Sequence, residues 1–398
     1  MNQIMQLFRS LLSTTKTDFV RNYLRTIPWG SRLIGIKGAR GVGKTTLLLQ
    51  YIKLHLMDQL HQTLYVSMDH IYFYRNTLVD LADEFHRNGG KFLFLDEVHK
   101  YPNWSIEIKN IYDQYPNMQV VFTGSSMLEI INSQADLSRR TIICTMQGLS
   151  YREYLNMKLG MDLPIWTLDD ILHRHTSLTM DIAAQINPLA HFGNYLSSGY
   201  YPYFLEDELR YVSKVQQVLQ LIIEVELPLL RNVKMSSVHQ LKQLLALISE
   251  TVPLTPNVSK ISSHIGLNRE TLIHYFYYLQ EAGITQMMYY DPTHISSLQK
   301  PDKLLLDNTN IQFALANQQP NKGTMRETFF VNQLKVVHRV NLSDFADYTI
   351  DGLYHFEIGG ASKSKKQIYN KDNAFVVKDD MEHGAGNAIP LWVFGFMY

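Results

Sequence analysis

Short unbroken apolar runs dominate the first third of the chain, and apolar positions spaced by three and four take over after it. The runs Arg32–Lys37, Phe92–Leu95, Met118–Phe122 and Thr141–Thr145 are too short for helices and predict buried strands. Thr46–Ile52 predicts a helix directly behind the first of them. From Tyr151 to about Met235 the pattern is mainly helical, with Val215–Ile223 the clearest stripe, and Leu241–Ile248 carries another beyond it. Pro164, Pro188, Pro202 and Pro228 punctuate the breaks.

Between the first strand and its helix lies Gly38-Ala39-Arg40-Gly41-Val42-Gly43-Lys44-Thr45, a full G-x-x-x-x-G-K-[ST] phosphate loop. Gly38, Gly41 and Gly43 let the backbone wrap around phosphate oxygens, and the helix opening at Thr46 presents free N–H groups and a positive dipole end. Lys44 is placed to reach the β- and γ-phosphates, and Thr45 to ligate Mg²⁺. The nucleotide-binding set is therefore Gly38 through Thr46.

Phe92–Leu95 ends in Asp96-Glu97. A buried strand ending in a carboxylate suits Mg²⁺ coordination beside a phosphate loop, so Asp96 joins Thr45 as a metal ligand. Glu97 suits a general base that polarises the attacking water, and with Lys44 forms the catalytic pair. The strand Met118–Phe122 ends in Thr123-Gly124-Ser125-Ser126, whose hydroxyls either sense the γ-phosphate or close a hydrogen-bonded turn.

In this order the motifs resemble AAA-type ATPases of the additional-strand, catalytic-glutamate class. The resemblance implies a first sensor at Ser125 or Ser126. It also implies a nucleotide-proximal arginine in the region of Arg139-Arg140, for which a solvated charge pair is the alternative. The segments Asp96–Trp104, Thr123–Ser126 and Gly148–Leu155 are further similar to bacterial and archaeal stand-alone ATPases. The C-terminal part of those proteins is a domain of unknown function with a restriction-endonuclease-like core. Gly193–Pro202 resembles a Gly-Gly-Tyr/Phe-Pro turn of that group and reads as a structural loop.

Composition adds limits. The chain has 398 residues, 45% hydrophobic and 19% charged, with a formal net charge of +0, so no global field draws nucleic acid. No apolar stretch approaches a membrane span, and the first residues lack a secretory pattern, so a cytoplasmic protein is expected. The single cysteine, Cys144, makes an intrachain disulfide impossible and a thiolate metal cluster implausible.

Residues 236–290 read as a winged helix-turn-helix. Val238–Ser249 is the first helix, and Asn257–Gly266 holds a short helix ending in a glycine turn. Asn268 caps a recognition-type helix closed by Gly283, and Ile284–Tyr290 is the candidate wing. Its outer face offers only Arg269, His274 and Gln280, beside Glu270 and Glu281.

Toward the C-terminus, Arg326–Leu334 predicts a helix, followed by Asp347–Ile350, a turn at Asp351-Gly352, and Tyr354–Gly359. This resembles the restriction-endonuclease-like arrangement, with Asp347 and Glu357 as the metal carboxylates and Glu327 as the helical Glu some members carry. The lysine that should follow Glu357 by two residues is missing, because that position is Gly359. Lys363, Lys365 and Gln367 are the nearby substitutes.

The expected architecture is α/β. A P-loop NTPase core of AAA type (1–150) leads into a helical lid (151–235), a winged helix-turn-helix (236–290) and a small nuclease-like domain (322–398). The expected function is Mg²⁺-dependent ATP binding and hydrolysis as a nucleotide-driven switch. The alternatives are an ATP-gated DNA-binding or DNA-processing protein and a signalling scaffold with a protein partner. Oligomerisation is compatible with each, and a membrane partner with none.

Overall fold

Strands covered on both faces have no solvent side to pattern, which is why the core strands of the first unit are continuous apolar runs. The computed structural model describes residues 2–124, 137, 139–231, 233–251, 253–290, 300–316, 319–360, 368 and 371–398. It divides into two units, Met1–Gly148 and Leu149–Tyr398.

The first unit runs α1 (Asn2–Thr14), α2 (Tyr23–Thr26), β1 (Leu33–Lys37), α3 (Lys44–His55), β2 (Thr63–Ser67), α4 (Leu78–Arg87), β3 (Phe92–Asp96), α5 (Trp104–Gln114), β4 (Gln119–Gly124) and β5 (Ile142–Thr145). Its sheet has the order β2-β3-β4-β1-β5, with every pairing parallel. β4 therefore lies between β1 and β3. Leu64, Leu93, Leu95, Val120 and Phe122 fill the centre of the core. α4 shows how helices dock on it. Thr77 and Asp80 form a capping box, and Leu78, Leu81, Ala82 and Phe85 make one buried stripe. Each large apolar side chain on that stripe contributes about 1.5–3 kcal/mol by burial, so Leu81→Asp would detach the helix.

The second unit opens with the helices Tyr151–Leu159, Leu168–Ala183, Pro188–Ser198 and Tyr211–Leu221, the last continuing through a π-turn at Ile222–Glu226. Tyr151, Tyr154, Tyr195, Tyr200 and Tyr211 are buried there, and Asn310 accepts the Tyr200 N–H at 2.8 Å. The loop expected over Gly193–Pro202 is shorter than read from the sequence: Gly193–Ser198 completes the helix Pro188–Ser198, and only Gly199–Tyr201 lie outside regular turns, because nothing in Gly193–Ser198 interrupts the helical ladder. The helices Met235–Thr251, Val258–Ile265 and Arg269–Glu281 follow. Gly266 ends the second at φ 72°, and Asn268 caps the third by accepting the Thr271 N–H at 2.7 Å. An antiparallel pair comes next, β6 (Thr285–Met288) with β7 (Lys303–Leu306).

The C-terminal sheet comprises β8 (Val340–Leu342), β9 (Tyr348–Ile350), β10 (Tyr354–Gly359), β11 (Ala374–Lys378) and β12 (Ala388–Pro390), in the order β12-β11-β10-β9-β8. β8-β9-β10 is an antiparallel meander, whereas β11 and β12 join in parallel. Asp351 (φ 54°) and Gly352 (φ 70°) make the β9–β10 turn with two left-handed residues, the signature of a tight hairpin.

Candidate nucleotide-binding site

The phosphate loop leaves the C-terminal edge of β1 and enters α3. Gly41 and Gly43 hold φ of 86° and 97°, which side chains rarely tolerate. Gly38 is fixed for another reason: a Cβ there would stand 2.2 Å from the Met146 carbonyl oxygen. Val42 is fully buried beneath the loop, while Ala39 and Arg40 are half-buried at its rim. The first helical hydrogen bond of this turn runs from the Leu47 N–H to the Gly43 carbonyl, so the N–H groups of Lys44, Thr45 and Thr46 precede the internal ladder. The Lys44 ammonium donates to the carbonyls of Gly38 (2.8 Å) and Ala39 (2.9 Å), which holds it over the loop.

Asp96 organises the rest. Its Oδ2 accepts from Thr45 Oγ1 at 2.6 Å and from Tyr65 Oη at 2.8 Å, and its Oδ1 accepts from the Thr123 hydroxyl. Asp96 is only 3% exposed, so these donors replace water on a buried carboxylate. Burial first, and then the Asp96 charge, drives the Tyr65 hydroxyl far above its ordinary pKa, so it remains a donor. The oxygen-only set Thr45 and Asp96, on adjacent parts of one edge, fits Mg²⁺. The glycine cradle and exposed helix N–H groups fit a polyphosphate.

Glu97 follows β3 with φ 56°, a left-handed conformation that costs a non-glycine residue of order 1–3 kcal/mol. That turn sends its N–H to Thr123 Oγ1 at 3.2 Å. Thr123 thereby ties the Asp96 carboxylate and the Glu97 backbone to one hydroxyl. His99 Nε2 lies 3.9 Å from Glu97 Oε2. Burial pushes the His99 imidazole down to about 3, with the charges of Lys100, Lys44 and Arg40 acting the same way. The contact is therefore between a carboxylate and a neutral ring, despite its ion-pair distance.

For Arg139-Arg140 the sequence left open a nucleotide-proximal arginine or a solvated charge pair, and Arg140 is part of such a pair with Asp113. It precedes β5, which runs parallel to β1 with Ile34 opposite Ile142 and Lys37 opposite Thr145. Arg140 stands in a turn before the first residue of β5, with its N–H bonded to the Leu137 carbonyl. Its guanidinium is engaged by Asp113, with contacts of 3.1 and 3.2 Å. The parallel direction of β5 places this residue away from the loop of its own chain. Ser125 and Ser126 lie outside the described residues.

Three residues here were not singled out by sequence: Tyr65, His99 and Arg21. Arg21 is buried and donates to the carbonyls of Val42 (3.4 Å), Gln147 (2.6 Å) and Gly148 (2.8 Å). A buried arginine before β1 carries no sequence signal of its own.

In the second unit the nuclease-like residues do converge. Glu327 accepts from Lys303 Nζ and from Tyr348 Oη (2.5 Å). Asp347 Oδ2 accepts the Ile358 N–H at 2.7 Å, and Glu357 is buried on β10. Burial raises the Asp347 carboxyl to about 6, and the charges of Glu357 and Glu327 add to the rise. Among the described residues no three His, Cys, Asp or Glu side chains group closely enough to hold a metal ion. Lys363, Lys365 and Gln367 lie outside the described residues. No helix among those described is long and apolar enough to cross a membrane.

Known proteins align with this picture. Residues 30–155 match the family described as AAA domain. An uncharacterized protein of Methanocaldococcus jannaschii is 26% identical over 269 residues, covering 65% of this chain and 56% of its own length. The chain thus spans little more than half of that curated relative. Among solved structures, the Walker-type ATPase of Pyrococcus abyssi is 13% identical, covers 75% of this chain and 95% of its own, and has a TM-score of 0.40. The Aeropyrum pernix Orc1 protein in complex with DNA is 12% identical, covers 77% and 90%, and has a TM-score of 0.31. Scores of that size establish no equivalence of fold. Residues 30–155 are thus similar to an AAA domain, and the parallel sheet order and the loop geometry agree with a P-loop nucleotide-binding fold.

Proposed function

We propose that the chain binds ATP with Mg²⁺ through Gly38–Thr46 and Asp96, hydrolyses it with Glu97, and uses the cycle as a conformational switch. The observation that carries this reading is the hydroxyl network in which Asp96 accepts from Thr45 and Thr123 while Thr123 accepts from the Glu97 N–H. Thr45 and Asp96 would hold the metal, which supplies charge neutralisation on the β- and γ-phosphate oxygens. Lys44 follows the phosphate charge, the helix N–H groups orient the phosphates, and the Glu97 carboxylate takes a proton from the attacking water. Adenine over guanine rests on the AAA resemblance, and cytoplasmic residence on composition.

The helices from Tyr151 to Arg231 supply the proposed lid. The three helices from Met235 to Glu281 followed by β6 and β7 supply the proposed winged helix, and the helix Lys322–Leu334 with β8–β12 the nuclease-like domain. A cleft of about 400 Å³ lined by Thr255, Asn257, Ser259, Arg269 and Lys300 favours the second reading, an ATP-gated DNA-binding protein. It places two cations beside the N-terminus of the helix Val258–Ile265, a chemistry suited to phosphate. The deciding experiment is ATP turnover with and without duplex and single-stranded DNA. Turnover independent of DNA supports the switch with a protein partner, stimulation supports the second reading, and no turnover at all defeats both.

A further inference from the structure

Asp96 receives three hydroxyls, one from the surface and two from the interior. Thr45, an exposed residue, donates to Oδ2 from the first turn of α3. Tyr65 donates to the same oxygen at 2.8 Å and Thr123 to Oδ1, and both are buried, at 4% and 0% exposure. The two interior donors therefore hold one carboxylate oxygen each, which fixes the rotation of the group about its last bond. The reach of Tyr65 follows from strand pairing. β2 and β3 run parallel with Ser67 opposite Asp96, so Tyr65 lies two residues back on the same face. That is about 6.6 Å along the strand, a span that a phenol covers and that serine or threonine there would not. The phenol is itself wedged: the buried Phe8 ring of α1 lies 6.2 Å from it, within the range of aromatic packing.

We infer that Tyr65 is a positioning residue of the nucleotide site, holding Asp96 Oδ2 from the interior so that the carboxylate keeps Thr45 turned for the Mg²⁺–triphosphate. The inference rests on the proposed role of Thr45 and Asp96 in holding Mg²⁺. The Thr45 hydroxyl gives its proton to Asp96, so the position of Oδ2 decides where the remaining lone pairs of Thr45 point. Without the phenol hydroxyl, Oδ2 of this buried carboxylate keeps a single donor, the exposed Thr45. A buried oxygen left short of donors is costly, and the carboxylate relieves the cost by turning about its bond to Thr123. Thr45 then loses the acceptor that orients it. Phe8 acts one step further out, by keeping the ring in place. α1 precedes residues 30–155, so the helix that wedges Tyr65 lies outside the segment similar to an AAA domain.

The test uses the full-length protein and a fluorescent ATP analogue, with affinity measured in EDTA and in saturating Mg²⁺. The gain in affinity on adding Mg²⁺ is the readout, and it needs no turnover. Tyr65→Phe should keep the wild-type affinity in EDTA and lose about ten-fold of the Mg²⁺ gain, the effect of one hydrogen bond to a charged group. In Asp96→Ala the gain should already be lost, and adding Tyr65→Phe should change it no further, whereas a merely structural defect would add to the loss. Phe8→Leu, which keeps the hydroxyl and loosens the ring that carries it, should lose a smaller part of the same gain. It stands in for Tyr65→Phe if that variant does not fold. The inference is overturned if folded Tyr65→Phe, or Phe8→Leu in its place, shows the wild-type gain. It is overturned equally if affinity falls alike in EDTA and in Mg²⁺, or if the gain falls further on the Asp96→Ala background. Wild-type protein with no Mg²⁺ gain at all would overturn the metal role of Thr45 and Asp96 as well, which separates the two failures.

Discussion

Thr123 and Asp96 sit at the ends of neighbouring parallel strands, and the hydroxyl of the first is bonded to the carboxylate of the second. The same oxygen of Thr123 accepts the Glu97 N–H at 3.2 Å. One side chain thus sets both the Asp96 carboxylate and the direction of the residue after it.

Removing that hydroxyl while keeping the shape, as in Thr123→Val, strips one donor from Asp96 and leaves the Glu97 N–H unsatisfied. An unmade buried hydrogen bond costs about 1–3 kcal/mol, so turnover should fall by roughly ten-fold or more. Thr123→Ser should recover most of it. Steady-state ATP turnover across a Mg²⁺ series measures this, and an unimpaired Thr123→Val would remove Thr123 from the site.

Lys44→Ala should abolish tight ATP binding with the fold intact, because no other cation of the loop spans the β- and γ-phosphates. Titration with a fluorescent ATP analogue, alongside circular dichroism, provides the reading. Wild-type affinity in this variant would take away the basis of the nucleotide site.

Glu97→Gln keeps the size and hydrogen-bonding oxygen of the side chain but loses the base. ATP should bind and persist while single-turnover hydrolysis drops by about 10² to 10⁴. Hydrolysis near the wild-type rate would mean that another group activates the water.

Asp347 makes stability depend on pH in a stated direction. Its carboxyl is raised to about 6 in the fold from an ordinary 3.8. Below about pH 4 both folded and unfolded forms are protonated, and the contribution is fully present. Between there and pH 6 the unfolded chain ionises first, so stability falls by up to about 3 kcal/mol. Urea midpoints for wild type should decline over that window, and Asp347→Asn should flatten the decline. An unchanged slope in the variant would show that Asp347 does not carry it.

Metal-dependent DNA cleavage should be absent or very weak, because Gly359 stands in the lysine position and Lys303 is bound to Glu327. The ATPase rate should be insensitive to Asp347→Ala. Nicking of supercoiled DNA with Mg²⁺ or Mn²⁺ that Asp347→Ala or Glu357→Ala stops would contradict this.

Much of the nucleotide site is legible in the chain because its parts are local. The loop, the strand before it and the helix behind it are continuous, and Asp96-Glu97 closes an unmistakable apolar run. What is not legible depends on pairing. Tyr65 reaches Asp96 only because β2 lies beside β3, with Ser67 opposite Asp96, and a five-residue strand of mixed character gives little warning of it. The partner of Arg140 is likewise set by pairing: Asp113 comes from α5, which the sequence does not place beside it. In the second unit the hairpin at Asp351-Gly352 and the cap at Asn268 are local signals and stand as read. β8, β11, β12 and the Lys303–Glu327 pair arise from contacts between distant segments.

Gly38 and the segment Met146–Gly148 lie so close that a methyl group would not fit between them, and the Met146 N–H bonds back to the Lys37 carbonyl at 2.7 Å. Arg21 grips Gln147 and Gly148 with the same guanidinium that reaches Val42 in the loop. The polypeptide at the end of the first unit is thus riveted to the glycine-rich loop. Tension applied at Gly148 is borne first by these carbonyls and through them by the loop itself. Within the first unit, a displacement of the loop and one of residues 146–148 are therefore a single displacement, as in a tendon rather than a slack tether.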